Sequence, residues 1–217
     1  IGHYPWPYDL DGDGREELIA GYNVLDGDGK KLWEIDMEDH ADCIWVCDLD
    51  QNPSTGPQVI VGGSDTTAYT WDGKLIWRYT ETVESQNIAP GNFIPEEHGT
   101  EMGGLDRIVR TSEDGKDGVF MINCEAKTLF TENRTVPGWS SIATTVHNFD
   151  GTGKDHLAVY KRSGLPSALY DGKMNMVFEF PFEGHIMWSD LIGDGQPQLL
   201  IYNDCLLYTS PSPRDRG

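Results

Sequence analysis

A repeated unit constrains the fold of this chain more than any other feature of its sequence. Each copy runs from an apolar strand into an acidic loop, a second apolar strand, an aromatic strand that ends in Asp-Gly or a similar turn, and a fourth strand. The copies are anchored at Asp9, Asp48, Asn92, Asn148 and Asp190, which lie 39, 44, 56 and 42 residues apart. Four short strands at such a period are typical of β-propeller blades.

The sequence therefore predicts an all-β fold, a β-propeller fragment of about four to five four-stranded blades from a larger ring of about seven or eight. Solenoids of helix pairs share this period but require 3.6-residue periodicity, which is absent. A β-sandwich remains the structural alternative, although it does not explain why loop, aromatic strand and turn return in the same order. Because one blade cannot bury both of its faces alone, we expect the blades to stack on one another.

The two ends of the chain look unlike natural termini. The chain begins with Ile1 rather than Met and shows no basic-then-apolar signal segment. Residues 205–217 break the preceding pattern and resemble a translated transposon-end adapter of shotgun sequencing libraries. We therefore predict a partial β-propeller over residues 1–204 and an adapter-derived artefact, not native sequence, over 205–217, with a natural Pro/Ser-rich tail as the alternative.

Composition excludes several classes of protein. The chain has 16 Lys and Arg against 36 Asp and Glu, a net charge of −20, whereas nucleic-acid binding needs a basic patch. Its 38% of hydrophobic residues argues against disorder. No apolar run approaches the ~18 residues of a membrane span. We expect a monomer that does not bind nucleic acid and has no membrane span.

The cysteines do not predict a disulfide or a zinc site. Cys43 and Cys47 lie in a predicted strand, which would separate their Cα atoms by about 13 Å. A disulfide requires less than ~7 Å. Together with Cys124, they are interpreted as small buried apolar residues, since no CxxC or nearby His pair accompanies them.

The first acidic loop has the pattern of a calcium site. Asp9, Asp11 and Asp13 alternate, and the carbonyl of Arg15 and the carboxylate of Glu17 follow at the next alternate positions. Calcium takes six to eight oxygen ligands, which such a loop supplies. Clustered carboxylates also repel one another unless a cation is bound. We predict Ca²⁺ here, with a solvated acidic turn as the alternative.

Two further loops are weaker candidates for the same ion. Their oxygen-bearing residues are Asp48 and Asp50 in the second repeat, and Asn148, Asp150 and Thr152 in the fourth. A proline interrupts the second repeat's loop, and a histidine replaces the last carboxylate of the fourth. In the fifth repeat Ile192 cannot act as a ligand. The loop after Asn92 has lost the pattern, and a plain turn is expected there.

Two sequence motifs resemble known propeller families. The pattern Asp-x-Asp-Gly-Asp-Gly-x-x-Glu-Leu, from Asp9, resembles the FG-GAP class of calcium-binding propellers. The segment His40-Ala-Asp-Cys-Ile-Trp-Val-Cys-Asp-Leu-Asp50 resembles the His-(Gly/Ala)-Asp-Ala-x-x-x-x-Asp-Leu-Asp segment of rhamnogalacturonan lyases with a propeller fold. Further segments that look like a bacterial branch of lyase-like proteins are Gly104–Arg107, Gly138–Trp139, Val146–Gly151 and Tyr160–Arg162.

This resemblance implies β-elimination on an acidic plant-type polysaccharide, the pectin backbone of alternating rhamnose and galacturonate. In that reaction Ca²⁺ or Arg/Lys neutralises the uronate carboxylate, and a base removes the proton at C5. The family's catalytic base maps onto no matching residue here. Candidates chosen by their position are His40, Lys161 and Arg162 for catalysis, and Asp42, Arg107 and Trp139 for substrate binding.

Simpler roles and another function remain open. His40 could be a hydrogen-bonded structural residue, Lys161 and Arg162 solvated charges, and Trp139 part of the core. The alternative function is a non-catalytic FG-GAP-like propeller that binds carbohydrate or protein, or an inactive relative kept as a scaffold. A base and a carboxylate-neutralising group on one face would favour the lyase. Calcium loops favour an extracytoplasmic or secreted protein, whereas unpaired thiols favour a reducing compartment.

Overall fold

The computed structural model describes residues 2–37, 40–109, 116–132, 142–160, 167–205 and 207–210. Within these residues the regular structure consists of β-strands in five antiparallel sheets, each in chain order. The prediction of an all-β propeller fold is confirmed. Among the described residues, no helix has the length and apolarity that crossing a membrane requires.

The five sheets are numbered as blades 1 to 5. Blade 1 contains β1 (Trp6–Tyr8), β2 (Glu17–Ala20), β3 (Asn23–Leu25) and β4 (Lys31–Glu34). Blade 2 contains β5 (Cys43–Cys47), β6 (Gln58–Gly62), β7 (Thr66–Thr70) and β8 (Leu75–Tyr79). Blade 3 contains β9 (Ser85–Gly91), β10 (Glu101–Val109), β11 (Lys116–Ile122) and β12 (Thr128–Thr131). Blade 4 contains β13 (Ile142–Val146), β14 (His156–Tyr160), β15 (Ala168–Tyr170) and β16 (Met176–Glu179), and blade 5 contains β17 (His185–Ser189), β18 (Gln198–Tyr202) and β19 (Leu207–Ser210).

Short turns connect the outer strands. Gly29 donates its N–H to the carbonyl of Asp26 (2.9 Å), and Gly73 does the same to Thr70 (2.9 Å). Both glycines have positive φ, 83° and 88°, which glycine adopts without steric cost. The Asp-Gly segments of the repeated unit therefore form the turns that connect β3 to β4 and β7 to β8.

The core lies between neighbouring blades. All five residues of β6 are buried, and alternate side chains enter different clusters. Val59 and Val61 pack with Ile19 and Val24 of blade 1, whereas Ile60 packs with Ile88 of blade 3. Because alternate side chains of a strand point to opposite faces, blade 2 is covered on both sides. The expected stacking of blades is confirmed.

The segment after Asn92 is not the plain turn that was expected. It runs to β10 and binds the second repeat's loop: Thr100 donates its N–H to the carbonyl of Leu49 (2.9 Å) and its Oγ1 hydroxyl to the carbonyl of Asp48 (2.8 Å). Gln51 donates its side-chain amide to the carbonyl of Gly99 (3.1 Å). The segment that lacks the acidic pattern therefore makes a contact between two blades. This contact cannot be inferred from the local sequence.

The meander places loops on two faces. The acidic-loop face holds the loops that follow the first strand of each blade, beginning at Asp9 and Asp48. The histidine face holds the residues that precede each first strand and follow each second strand, including His40, Asp42 and Arg107. The candidate cation loops and the candidate lyase residues His40, Asp42 and Arg107 therefore lie at opposite ends of the strands.

Two other expectations concern the cysteines and the end of the chain. Cys43, Cys47 and Cys124 are free, as predicted, and burial raises the pKa of the Cys43 and Cys47 thiols to about 12. Within the segment 205–217, residues 207–210 form β19, which pairs with β18. The adapter origin of that segment remains a prediction.

Candidate functional site

Two histidines and an aspartate converge on the histidine face. His40 Nε2 lies 3.0 Å from Oδ1 of Asp42, and His3 Nε2 lies 3.9 Å from the same oxygen. The two imidazole rings are 5.2 Å apart between centroids and nearly perpendicular, at 76°. Asp42 is buried, whereas both histidines are accessible. One ligand atom from each residue lies within 4.8 Å of the others, which makes the cluster a candidate metal or acid–base centre.

The start of the chain brings His3 to this cluster. Gly2 forms a parallel bridge with Ala41, and the His3 N–H donates to the Ala41 carbonyl (2.8 Å). A Cβ at Gly2 would lie 2.9 Å from the Cα of Gly21, so this approach needs glycine. The sequence analysis missed His3. Its position in the repeat could have identified it: His3 lies three residues before β1, and His40 lies three residues before β5.

The donor set of the cluster has definite chemical uses. A buried carboxylate that binds an imidazole holds the ring in one orientation, which suits a base or a metal ligand. Two imidazole nitrogens and one carboxylate oxygen fit a divalent ion such as Zn²⁺ or Mn²⁺ better than Ca²⁺, which prefers oxygen. The predicted residues His40 and Asp42 are thus together, with His3 as a third member.

Other charged groups on the histidine face are engaged with protein partners. Arg78 donates to Oδ2 of Asp65 (2.9 Å) and to the carbonyl of Asp36 (2.6 Å). Oδ1 of Asp106 accepts the backbone N–H groups of residues 83 and 84, at 2.8 and 3.0 Å. Burial raises the pKa of the Asp106 carboxyl. Arg107 follows on β10 and donates its N–H to the carbonyl of Glu84 (2.8 Å).

Three predicted site residues cannot be placed. Trp139, Lys161 and Arg162 lie outside the described residues. In the sequence, Lys161 and Arg162 directly follow β14, the second strand of blade 4. Arg107 lies near the end of β10, the second strand of blade 3. Their roles therefore remain predictions.

The first acidic loop brings carboxylates together on the other face. Oxygens of Asp9, Asp11 and Glu17 lie within 4.8 Å of one another. Asp9 accepts the N–H groups of Gly12 (2.9 Å) and Gly14 (3.0 Å), and this loop therefore folds around its carboxylate. All three donors are oxygens, which fits Ca²⁺.

Two other predicted ligands of this loop have different positions. The carboxylate of Asp13 is not part of the three-residue group, and its Oδ1 accepts the N–H of Arg15 (2.7 Å). The Arg15 guanidinium binds Asp28 (2.9 Å), which lies on the β3–β4 turn. Calcium at this loop remains a prediction.

The two weaker loops are closed by internal hydrogen bonds. Asp50 accepts the Thr55 hydroxyl (3.0 Å), and Asp150 accepts the Thr152 hydroxyl (2.6 Å). Asn148 accepts the N–H of Gly153 (2.7 Å) through its side-chain oxygen. Among the residues that the structure describes, neither loop brings three His, Cys, Asp or Glu ligands together. Calcium binding by Asp48, Asp50, Asn148, Asp150 and Thr152 thus stays a prediction.

A recurring side-chain clamp closes four of the loops. In each case the first residue of the second strand accepts a backbone N–H from the start of the preceding loop. The pairs are Glu17 with Leu10 (2.8 Å), Gln58 with Leu49 (2.5 Å), Glu101 with Ile94 (2.9 Å) and Gln198 with Leu191 (2.6 Å). All four clamp residues are buried. The sequence analysis interpreted Glu17 as a calcium ligand and missed this second role.

Blade 4 departs from the clamp pattern. His156 begins β14, is buried, and lies with Nε2 3.7 Å from Oδ2 of Asp150. Burial lowers the pKa of His156, which favours the neutral form of this imidazole, at the position where blade 1 has a carboxylate. The neighbouring Asp155 accepts the N–H of Asn148 (3.3 Å) instead.

Comparisons with known proteins show the fold. No family model and no curated protein sequence matches the chain. Among solved structures, the biofilm matrix protein Bap1 of V. cholerae is 11% identical with a TM-score of 0.64, over 93% of this chain and 60% of that one. The exotype rhamnogalacturonan lyase YesX is 18% identical with a TM-score of 0.56, over 94% of this chain and 35% of that one.

A third solved structure is BBS1N in complex with ARL6DN, which is 12% identical with a TM-score of 0.59, over 96% of this chain and 81% of that one. This chain thus spans less than two thirds of the first protein's length and about one third of the second's. At such identities the likeness shows fold alone. The expected relation to rhamnogalacturonan lyases is confirmed as a remote one of fold, within a set of propeller-like proteins.

Proposed function

We propose that this chain is part of a calcium-binding propeller that cleaves rhamnogalacturonan or a related uronate polysaccharide by β-elimination. The observation that carries the proposal is the cluster of His3, His40 and Asp42 on the histidine face. A fold that includes rhamnogalacturonan lyases among its neighbours supports it.

The reaction needs a base and a cation near the uronate. The base takes the C5 proton, the electron pair left behind forms the C4–C5 double bond, and the bond from C4 to the leaving oxygen breaks. His40, oriented by Asp42, is the proposed base. A cation near the site would neutralise the uronate carboxylate and so acidify the C5 proton. Lys161, Arg162 and Arg107 are proposed for that face as well.

Calcium is proposed for the acidic-loop face, with Asp9, Asp11 and Glu17 as ligands. Its role there is structural, since an ion shared by three carboxylates removes their mutual repulsion and holds an exposed loop that is costly to order. This ion is separate from the chemistry proposed at His40, which lies on the opposite face.

The test is cleavage of rhamnogalacturonan I by the protein, with Ca²⁺ or with a chelator. The ultraviolet absorbance of the unsaturated uronate measures β-elimination. His40→Ala is expected to lower the rate by about 10²–10⁴-fold, the usual contribution of a general base. His98→Ala is the matched control, because His98 is exposed on the acidic-loop face and accepts the Cys124 thiol through its backbone carbonyl, which the substitution retains.

The alternative is a non-catalytic propeller that binds carbohydrate or protein. It is favoured by Arg78, a cation of the histidine face that is already bound to Asp65 and Asp36 and is not presented to a uronate. This alternative would be supported if the folded protein is slowed by polysaccharide in affinity electrophoresis but produces no ultraviolet absorbance from unsaturated uronate. An equal rate for His40→Ala and wild type would remove His40 from the proposal.

A further inference from the structure

A groove lined by two tryptophans opens on the acidic-loop face between blades 1 and 2. Its volume is about 240 Å³. The lining residues are Leu10, Asp11, Glu17, Leu32, Trp33, Trp71 and Asp72. Sites for drug-sized ligands span about 300–1,000 Å³, so this groove suits a single ring-sized group. The groove contains none of the lyase candidates that the structure describes, His40, Asp42 and Arg107, which lie on the opposite face.

The two tryptophans are held in place by their surroundings. Trp33 donates its indole N–H to the carbonyl of Trp71 (3.2 Å), which links the outer strand of blade 1 to the turn of blade 2. Glycines lie against both rings: a Cβ would be 2.9 Å from Trp71 Cδ1 at Gly56, and 2.6 Å from Trp33 Cγ at Gly73. Such support keeps an aromatic surface ready to bind, with little ordering cost on binding.

The polar groups of the groove are hydrogen-bond acceptors. Glu17 is buried and uses Oε2 to accept the N–H of Leu10, and Asp72 is bound by Lys74 at 2.9 Å. Asp11 is exposed at the rim. The combination of an apolar wall and carboxylate oxygens matches a pyranose ring, whose C–H face is apolar and whose hydroxyls donate hydrogen bonds.

Charge decides which sugar fits. Three carboxylates line the groove, Lys74 neutralises one of them, and the whole chain carries a net charge of −20. When no calcium is bound to Asp11 and Glu17, a uronate would be repelled, whereas an uncharged sugar meets no such penalty. We propose that the groove beside Trp33 and Trp71 binds a neutral pyranose residue of a glycan, by stacking on the indoles with its hydroxyls directed to Asp11 and Asp72. This site goes beyond the proposed lyase and does not require it.

The test is saturation-transfer NMR with the chain and three probes: methyl β-D-galactopyranoside, the corresponding methyl galactosiduronate, and tetramethylammonium. All titrations contain EDTA, because Asp11 and Glu17 line the groove and are also proposed calcium ligands, so that a bound cation would change the charge of the groove. The neutral galactoside is expected to receive saturation on its C–H face and to bind more tightly than the other two. A failed cleavage assay leaves this result unaffected, because no reaction is measured here.

Variants locate the binding. Trp71→Ala is expected to weaken binding of the galactoside by about tenfold, since a stacked aromatic ring supplies most of such a contact. Leu75→Ala is the matched control: it is exposed on the same hairpin and outside the groove. Leu32→Glu, a change at an exposed groove residue, should weaken binding too and serves if Trp71→Ala does not fold. Wild-type binding by folded Trp71→Ala, no saturation transfer to the galactoside, or tighter binding of tetramethylammonium or uronate would overturn the proposal.

Discussion

At the scale of single residues, the clamp side chains that begin the second strand of four blades differ in how many of their hydrogen bonds are made. Gln58 donates its amide to the carbonyl of Gly56 (2.7 Å), and Gln198 donates to the carbonyl of Gln196 (2.8 Å). The Glu101 carboxylate has no N–H group and therefore cannot donate the corresponding hydrogen bond. Its side chain is fully buried, and Oε1 has no hydrogen-bond partner. Burial therefore raises the pKa of Glu101 to about 7.

We expect Glu101→Gln to stabilise the protein at alkaline pH. The folded-state pKa lies above the unfolded one, so the stability from this group is complete below about pH 4.5 and is lost as the pH rises through 7. The variant should therefore exceed wild type by on the order of 2 kcal/mol at pH 8 and should lose that advantage near pH 5. Urea unfolding at the two pH values measures this.

The control for that measurement is Glu96→Gln, an exposed carboxylate in the same loop. It should change the free energy of unfolding by less than about 0.5 kcal/mol at either pH. The same difference between Glu101→Gln and wild type at pH 5 and pH 8 would mean that Glu101 does not titrate in this range.

At the scale of elements, acidic loops of similar sequence differ in the oxygens they bring together. The first loop gathers Asp9, Asp11 and Glu17, whereas Asp50 and Asp150 bind hydroxyls within their own loops. Hydrogen bonds satisfy polar groups in both arrangements. Clustered carboxylates, however, repel one another, so a bound cation would stabilise the first loop more than the other two. Alternating Asp residues are thus a weaker signal of calcium than the spatial grouping of their oxygens.

Calcium is therefore expected to stabilise the protein through the first loop. Saturating Ca²⁺ should raise the melting temperature relative to EDTA, because an ion at about 100 times its Kd adds about 2.7 kcal/mol to folding. Asp11→Asn should abolish most of that rise, as seen by differential scanning calorimetry. Asp28→Asn, a change of an exposed carboxylate bound to Arg15, should retain it. A full calcium response in Asp11→Asn would exclude this loop as the site.

At the scale of the whole molecule, blades are joined by polar contacts as well as by apolar cores. Asp155 of blade 4 accepts the N–H of Asn92 in blade 3 (2.9 Å) through Oδ2 and binds His147 (3.0 Å) through Oδ1. His147 in turn packs edge-to-face on Trp188 of blade 5, with centroids 5.2 Å apart. Burial favours a raised pKa for Asp155, but its hydrogen bonds to His147 and Asn92 lower the pKa overall. One carboxylate thus connects three blades.

Asp155→Ala is expected to destabilise the protein by about 2 kcal/mol, because it leaves the Asn92 N–H without its acceptor, and such a loss typically costs about 1–3 kcal/mol. The loss of the partner of His147 adds little, since the His147 side chain is exposed. Thermal or urea unfolding measures the loss. Asp204→Ala, at an exposed residue of blade 5, is the control and should change stability by less than about 0.5 kcal/mol. Equal stability of the two variants would show that the junction contributes little.

The sequence by itself determined the strands, the Asp-Gly turns and the stacking of repeats. These follow from local signals: apolar segments of strand length, turn residues such as Gly29 and Gly73, and a repeated unit that cannot bury its faces alone. The grouping of His40 with Asp42 was also predictable, because they lie two residues apart before one strand.

Only the tertiary structure decided what meets across repeats. His3 joins His40 through the bridge from Gly2 to Ala41, and Trp33 meets Trp71 across two blades. The burial that raises the pKa of Glu101 likewise depends on the neighbours of its loop. A repeat pattern specifies each blade, but the contacts between blades depend on register and on the packing of side chains distant in sequence.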